Sequence, residues 1–452
     1  MRIIGLDIGT TSLCGILLDT DSGSVVRSLT LPNDSAVPSA HPYEKLQDPA
    51  ALIARIQTIA ETLRQEGGAA AVGVTGQMHG IVYTDRDGQP VGPLAIWQDG
   101  RGDLPYRDGK TYADYLSTAT GYPLSTGYGA VTHFYNTVNG CIPAGAVTFC
   151  NIHDLAVMAL TGRKTPCLTP SDAAGIGLYD LKAGRFDRDA VRAAGMDPPF
   201  FPEVAAGFAL AGHTKDGIPT AAAIGDNQAS VLGSVNDLAH SILVNVGTGS
   251  QISCVTDTLP ETDVPDRRPL IDGHWLLAGS SLCGGRAYAL LETFLRETAE
   301  QITGQAVDSA YPAMDRLMAD YRPPAQPLVI DTRFCGTRRE PTVRGSIRQI
   351  GIDNFTVAAL CDGVMNGMTA ELYDLYREMA PFLKETPTRL IGSGNGLRRN
   401  APLAARFSAA FGLPLSIPVH REEAAFGAAL FAAVAAGRAA SLKEAQTLIR
   451  YC

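Results

Sequence analysis

A chain of 452 residues with 45% hydrophobic and 18% charged side chains can bury more than one core, which excludes a disordered chain and a single small domain. Its net charge of −9 argues against a nucleic-acid or anionic-membrane surface, since both need clustered cations. The nine cysteines lie scattered from Cys14 to Cys452 with no C-x-x-C pair, which reads as reduced thiols in a cytoplasmic protein and leaves zinc without a ligand set.

The chain opens on a buried strand, Ile3 to Ile8, so no leader peptide is expected. Gly9-Thr10-Thr11-Ser12 turns it into a second strand, Gly15 to Asp19, and Thr20 to Gly23 leads to a third, Ser24 to Leu29. From Asp48 to Glu66 the apolar residues Leu52, Ile53, Ile56, Ile59, Ala60 and Leu63 keep a helical period, and Pro49 sits where a first turn tolerates it. Ala70 to Val74 is a further buried strand that runs toward Gln77-Met78-His79-Gly80. Three antiparallel strands, a helix and a parallel strand follow the plan of a ribonuclease-H-like, actin-type domain.

An internal repeat supports duplication of that plan. Leu6-Asp7-Ile8-Gly9-Thr10-Thr11-Ser12 reappears as Val244-Asn245-Val246-Gly247-Thr248-Gly249-Ser250, each copy between two apolar strands. The boundary is placed near Leu232 to Leu238. Helices are expected near Arg286–Thr303 and Asn354–Met379, and a strand, Thr388 to Ile391, ends in Gly392-Ser393-Gly394-Asn395-Gly396 before a helix from Asn400. The longest apolar stretch, Ala424 to Gly437, is too short and too Ala-rich to span a bilayer and reads as a buried helix.

Several of these turns carry chemistry. A strand–Gly-Thr–strand hairpin can aim N–H groups and hydroxyls at anionic oxygens without net positive charge; one copy is equally an ordinary hairpin, whereas two suit a clamp on a polyphosphate. Asp7 ends a buried strand beside the first loop and needs a partner, for which Mg²⁺ on a nucleotide is natural; the second copy has Asn245 there. Gln77-Met78-His79-Gly80 and Trp97-Gln98-Asp99-Gly100-Arg101 offer donors and acceptors beside an apolar plate, the mix a polyhydroxylated ligand needs. They also read as a satisfied histidine and a surface ion pair. Asp226, in Gly225-Asp226-Asn227-Gln228, is at once a helix cap and a candidate general base for an attacking alcohol.

In order along essentially the whole chain, GLDIGTTS, GQMHG, WQDGR, GDNQAS, NVGTGS, GTRREPTVRGS, GSGNGLRRN and EEAAFGAALFAA resemble the FGGY family of carbohydrate kinases, within the actin-like ATPase superfamily. The resemblance implies an α/β fold of two ribonuclease-H-like domains with a cleft between them. Residues 1–235 would carry the sugar pocket, first phosphate loop and catalytic Asp, and 236–452 the second phosphate loop and adenosine site. It implies ATP- and Mg²⁺-dependent phosphorylation of the terminal hydroxyl of a ketose, sedoheptulose first and xylulose or another short ketose as the alternative. By the same resemblance Asp226 is the catalytic base and Asp7 the Mg²⁺-associated carboxylate. Gly9, Thr10, Thr11, Gly247, Thr248 and Gly249 hold phosphates, while Gly392, Gly394 and Asn395 meet adenosine. Gln77, Met78, His79, Trp97, Asp99, Arg101, Asp226 and Asn227 fall where the sugar is held, with Asp154 near that pocket or a helix cap.

Cys14 stands where the family often has Lys or Arg, so a direct cation on the phosphates is either missing or replaced by Arg101, and Thr337 stands where the long segment usually has Glu. The expected partners are a sugar and ATP, with no nucleic acid or membrane and a homodimer left open. An actin-like ATPase switch or chaperone shares the paired loops but usually appends a partner-binding domain.

Overall fold

The computed structural model describes residues 1–261, 266–337, 340 and 342–452. Along the chain, β1 (Arg2–Ile8), β2 (Ser12–Asp19) and β3 (Ser24–Pro32) pair antiparallel in sequence, with Ile8 opposite Leu13 at the first turn. Helix α1 (Pro49–Gly67) buries Leu52, Ile56, Ile59, Ala60 and Leu63, and the Asp48 side chain caps it by accepting the N–H groups of Ala50 and Ala51. It returns the chain to β4 (Val72–Gly76), parallel to β1. Strands β5 (Gly80–Thr84), β6 (Leu94–Ile96) and β7 (Thr148–Cys150) belong to a separate sheet whose strand ends carry His79 and Trp97. Two helices follow, α2 (Ile152–Thr161) and α3 (Pro170–Ile176). Short strands β8 (Leu210–His213), β9 (Pro219–Ala221) and β10 (Ile224–Gly225) complete a sheet in the order β8-β9-β4-β1-β2-β3, with β10 also on β4. Helix α4 (Asp226–Ser234) leaves directly from β10.

The plan then recurs. Strands β11 (Ser241–Val246), β12 (Ser250–Thr256) and β13 (Trp275–Ser281) pair antiparallel, and after helices α5 (Gly284–Thr303) and α6 (Val357–Met379) strand β14 (Arg389–Ser393) returns parallel to β11. The run β13-β12-β11-β14 reproduces β3-β2-β1-β4, so the repeat visible in one hairpin extends over four strands. Both sheets make the architecture that of the actin-type ATPases.

The chain forms two compact units. The first comprises Met1–Asn236, Arg268–His274 and His420–Arg450, the second Asp237–Arg267, Trp275–Val419 and Tyr451–Cys452. Residues 236–452, expected to form one domain, are thus shared between the two units. Helix α7 (Ala401–Phe411) stays in the second unit, whereas α8 (Glu423–Ala435) packs in the first, against β1, β4 and α4. The reason is its composition. Every residue from Ala425 to Ala433 is buried, so the helix needs cover on all sides, and small residues let it approach closely. A Cβ built on Gly5 or Gly73 would fall on the carbonyl of Ala425 or Ala428. Among the described residues no helix is long and apolar enough to cross a membrane.

Candidate functional site

Both glycine hairpins hold their carbonyls from behind. In the first loop Asn33 Nδ2 donates to Gly9 O at 2.9 Å, Gln47 Nε2 to Thr10 O at 3.2 Å, and the Asn33 N–H to Thr11 O at 2.9 Å. The N–H groups of Thr10 and Thr11 donate to no described residue. In the second loop the N–H groups of Gly285 and Arg286, in the first turn of α5, donate to Gly247 O at 2.8 Å and Thr248 O at 3.1 Å. With the carbonyls occupied, each loop presents amide hydrogens and threonine hydroxyls, which is what an anionic oxygen requires. The two loops reach this by different means, side-chain amides in one unit and a helix N-terminus in the other.

In the second copy Asn245 Nδ2 donates to Ser393 Oγ at 2.8 Å and ties β11 to the last residue of β14, which leads into the glycine turn. In that turn Gly394 has φ +82°, and a Cβ there would lie 2.5 Å from Val246 O. Gly394→Val is therefore expected to push away the end of β11, which carries Gly247 to Gly249, and to weaken ATP binding at least tenfold with sugar binding retained. Calorimetry on the folded variant checks this, and unchanged ATP affinity would exclude the turn from the site.

In the first unit the side chain of Asp7, a partly exposed residue at the end of β1, accepts no hydrogen bond from any described residue. Burial, then the nearby Asp226 and Glu422 carboxylates, push its pKa up to about 8. Cys14, opposite it in the β1–β2 register, is buried and pushed up to about 12 by burial and Glu422, so it supplies no positive charge. Arg101 does not replace the missing cation. Its Nε and Nη2 lie 2.6 and 3.0 Å from the two oxygens of the fully buried Asp99, and its Nη1 donates to Asn136 Oδ1 at 2.7 Å. Glu44 approaches at 3.6 Å and the Tyr135 ring covers it at 5.5 Å. Asp99 and Arg101 thus form a closed pair that shapes the turn after β6.

Trp97 is 42% exposed, and its indole N–H donates to Thr10 Oγ1 at 2.9 Å. Gln77 is buried and donates to Gln47 Oε1 at 3.1 Å, and Gln47 is the residue that holds Thr10 O. The strand ends expected to hold sugar are therefore joined to the Gly9–Ser12 loop, directly through Trp97 and by way of Gln47 from Gln77. His79 donates through Nδ1 to Gly175 O at 2.7 Å and packs on Tyr128 at 4.6 Å. Met78 is buried, with Asn227 Nδ2 at 3.3 Å and Arg268 Nη1 at 3.7 Å from its sulfur.

Asp226 is the first residue of α4, and Gly225 occupies the cap position, so its carboxylate is not the cap that the sequence allows. Its Oδ1 accepts the Asn227 N–H at 2.8 Å. Burial raises its pKa above the ordinary carboxylate value, Arg268 and His153 oppose the rise, and Asp172 adds to it. A carboxylate so placed, more basic than in water, suits proton acceptance. Asp154 is buried and caps α2 in a box with Asn151.

Two charged groups here escaped the sequence reading. Arg268 comes from a segment beyond the expected boundary, and Glu422 from the residue preceding α8. Neither has a local signal, though Glu422 lies within the closing motif. Of the long GTRREPTVRGS segment, Arg338, Arg339 and Pro341 lie outside the described residues, while Thr337 Oγ1 accepts the N–H of Glu340 at 2.9 Å.

A model of the N-terminal domain of the FGGY family of carbohydrate kinases matches residues 2–243, and one of the C-terminal domain matches 242–436. Sedoheptulokinase from Mus musculus is 26% identical over 94% of this chain and 96% of its own length. Glycerol kinase from Aquifex aeolicus is 26% identical over 98% of this chain and 91% of its own. The solved xylulose kinase from Rhodospirillum rubrum shares the fold, with TM-score 0.84 and 20% identity over 100% of this chain and 93% of that one.

Proposed function

The chain belongs to the FGGY family of carbohydrate kinases and is an ATP-dependent sugar kinase, and from that premise we propose that it phosphorylates the terminal hydroxyl of a ketose, sedoheptulose before xylulose. The observation that carries the substrate reading is the end-to-end similarity to sedoheptulokinase, together with a first unit in which Trp97 bonds the Thr10 hydroxyl and the Met78 sulfur lies against the Asn227 amide next to Asp226.

In the proposed reaction the sugar hydroxyl oxygen forms a bond to the γ-phosphorus as the bond from that phosphorus to the β-bridging oxygen breaks. ADP leaves, and the hydroxyl proton passes to Asp226. The amides of Thr10, Thr11, Thr248 and Gly249 hold phosphate oxygens, and Gly392, Gly394 and Asn395 form the turn against adenosine. Arg268 favours the ionised form of Asp226. Trp97 fixes the Thr10 hydroxyl and so links the sugar side to the phosphate loop.

The first unit fits Mg²⁺: the Asp7 carboxylate is an oxygen donor that accepts no hydrogen bond from a described residue, and it lies beside the Asp226 and Glu422 carboxylates. When bound, the ion would neutralise charge on the β- and γ-phosphates. A proton on Asp7 competes with it. Below pH about 8 the apparent Mg²⁺ half-saturation should rise as pH falls, by up to about tenfold per unit, because the carboxyl must lose its proton first. In Asp7→Asn the requirement should be high and nearly independent of pH. A Mg²⁺ titration at pH 6.5, 7.5 and 8.5 checks both, and identical pH slopes in the two proteins would remove Asp7 from the metal site.

A coupled ADP-release assay across sedoheptulose, xylulose, ribulose, glycerol, gluconate and the matching aldoses tests the acceptor. Sedoheptulose should give the highest kcat/KM, with sugar-dependent ADP release. Turnover confined to glycerol or an aldose would overturn the ketose assignment, and release indifferent to every sugar would favour an ATPase switch.

A further inference from the structure

Behind the Gly225–Asp226 turn lies a buried polar network that the reaction as described does not use. Ser171 Oγ accepts the Gly225 N–H at 3.0 Å and itself donates to Asp172 Oδ1 at 3.1 Å. The same Oδ1 accepts His153 Nε2–H at 3.0 Å. All three side chains are enclosed, with exposures of 0% for His153 and Asp172 and 1% for Ser171.

Helix capping does not account for this arrangement. Asp172 caps α3 through its other oxygen, Oδ2, which takes the Thr169 N–H at 3.2 Å and the Thr169 hydroxyl at 2.9 Å. Oδ1 is thus left for His153 and Ser171. An imidazole sealed in the first turn of α2 is costly to bury without a partner, and its partner is the carboxylate that leads to Asp226. We infer that His153, Asp172 and Ser171 are positioning residues that hold the Gly225–Asp226 turn and set the electrostatic surroundings of the Asp226 carboxylate. The inference rests on Asp226 being the base.

The charged and titratable groups around Asp226 are Arg268, His153 on α2, Asp172 on α3 and Asp7 on β1. Those around His153 are Asp172, Asp226 and Asp154. The Asp154 carboxyl is pushed well up by burial and by Asp172, and the Cys150 and Cys167 thiols are also pushed up, which keeps both thiols neutral at pH 7. The two members that act on Asp226 do so with opposite sign: His153 holds its pKa down and Asp172 holds it up.

Three single variants of the full chain test the inference, with melting curves to confirm folding. Ser171→Ala removes the acceptor of the Gly225 N–H and should lower kcat about tenfold with ATP KM nearly unchanged, while Ser171→Thr, which keeps the oxygen, should restore most of it. In His153→Gln the acidic limb of kcat/KM against pH should move up, and in Asp172→Asn down, each by roughly half a unit. Limbs that stay fixed or move together, with full kcat in Ser171→Ala, overturn the network's role. So does one equivalent of a divalent ion retained by the EDTA-washed chain and lost in Asp172→Asn, which would make His153, Asp154 and Asp172 a metal centre. If either residue-153 or residue-172 variant fails to fold, the Ser171 pair alone decides. A folded, active Asp226→Asn enzyme would instead defeat the base assignment, whereas an inactive one beside indifferent Ser171 variants defeats the positioning role alone.

Discussion

Asp226→Asn is expected to lose phosphoryl transfer by roughly 10²–10⁴-fold in kcat, with Mg-ATP and sugar affinities close to those of the parent. The amide keeps an oxygen that can accept the Asn227 N–H, at 2.8 Å in the parent, and nearly the same shape, so α4 should start at the same residue. What disappears is the lone pair that takes the hydroxyl proton. Burial raises the Asp226 pKa, and only the ionised form accepts a proton, so activity in the parent should fall on the acid side at a higher pH than an ordinary carboxylate would give. Measurement of kcat, sugar Kd and the pH profile of both proteins settles the assignment. A folded Asn variant with near-parental kcat would show that Asp226 is only the first residue of its helix.

Gly427→Val should have the largest effect on stability. Helix α8 crosses α4 with backbone against backbone: a Cβ on Gly427 would fall on the carbonyl oxygen of Ala229, and one on Gly233 would fall on that of Glu423. No side chain is there to move aside. The helices must separate, which places the cost at or beyond the upper end of about 1–3 kcal/mol typical of overpacking and predicts a Tm drop of roughly 6–12 °C. Ala435→Ser, near the partly exposed end of the same helix, should change Tm by no more than about 1–2 °C. Because Glu422 directly precedes α8, the Gly427 variant should also disturb the Asp7 surroundings and raise the Mg²⁺ requirement. An unchanged Tm would mean that α8 does not dock as described.

The sequence by itself determined the features that depend on neighbouring residues. The period of α1, the paired hairpins from Gly9 to Ser12 and Gly247 to Gly249, the turn at Gly392 to Gly396 and the Asp226 strand–helix junction are all written in short segments, because turn geometry and amphipathic periodicity are local properties. Duplication was legible for the same reason, through one repeated hairpin. Tertiary structure alone decided which charges meet. Arg268 and Glu422 reach Asp226 and Asp7 from distant parts of the chain, and no spacing rule connects them. It also decided that the Arg101 guanidinium is closed in by Asp99 and Asn136 and is not free for phosphate, since a buried cation must satisfy its donors with whatever acceptors the fold supplies. The return of α8 to the first unit is of the same kind. An apolar helix announces that it is buried, but where it is buried depends on which surface offers glycines at Gly5, Gly73 and Gly233 for close approach.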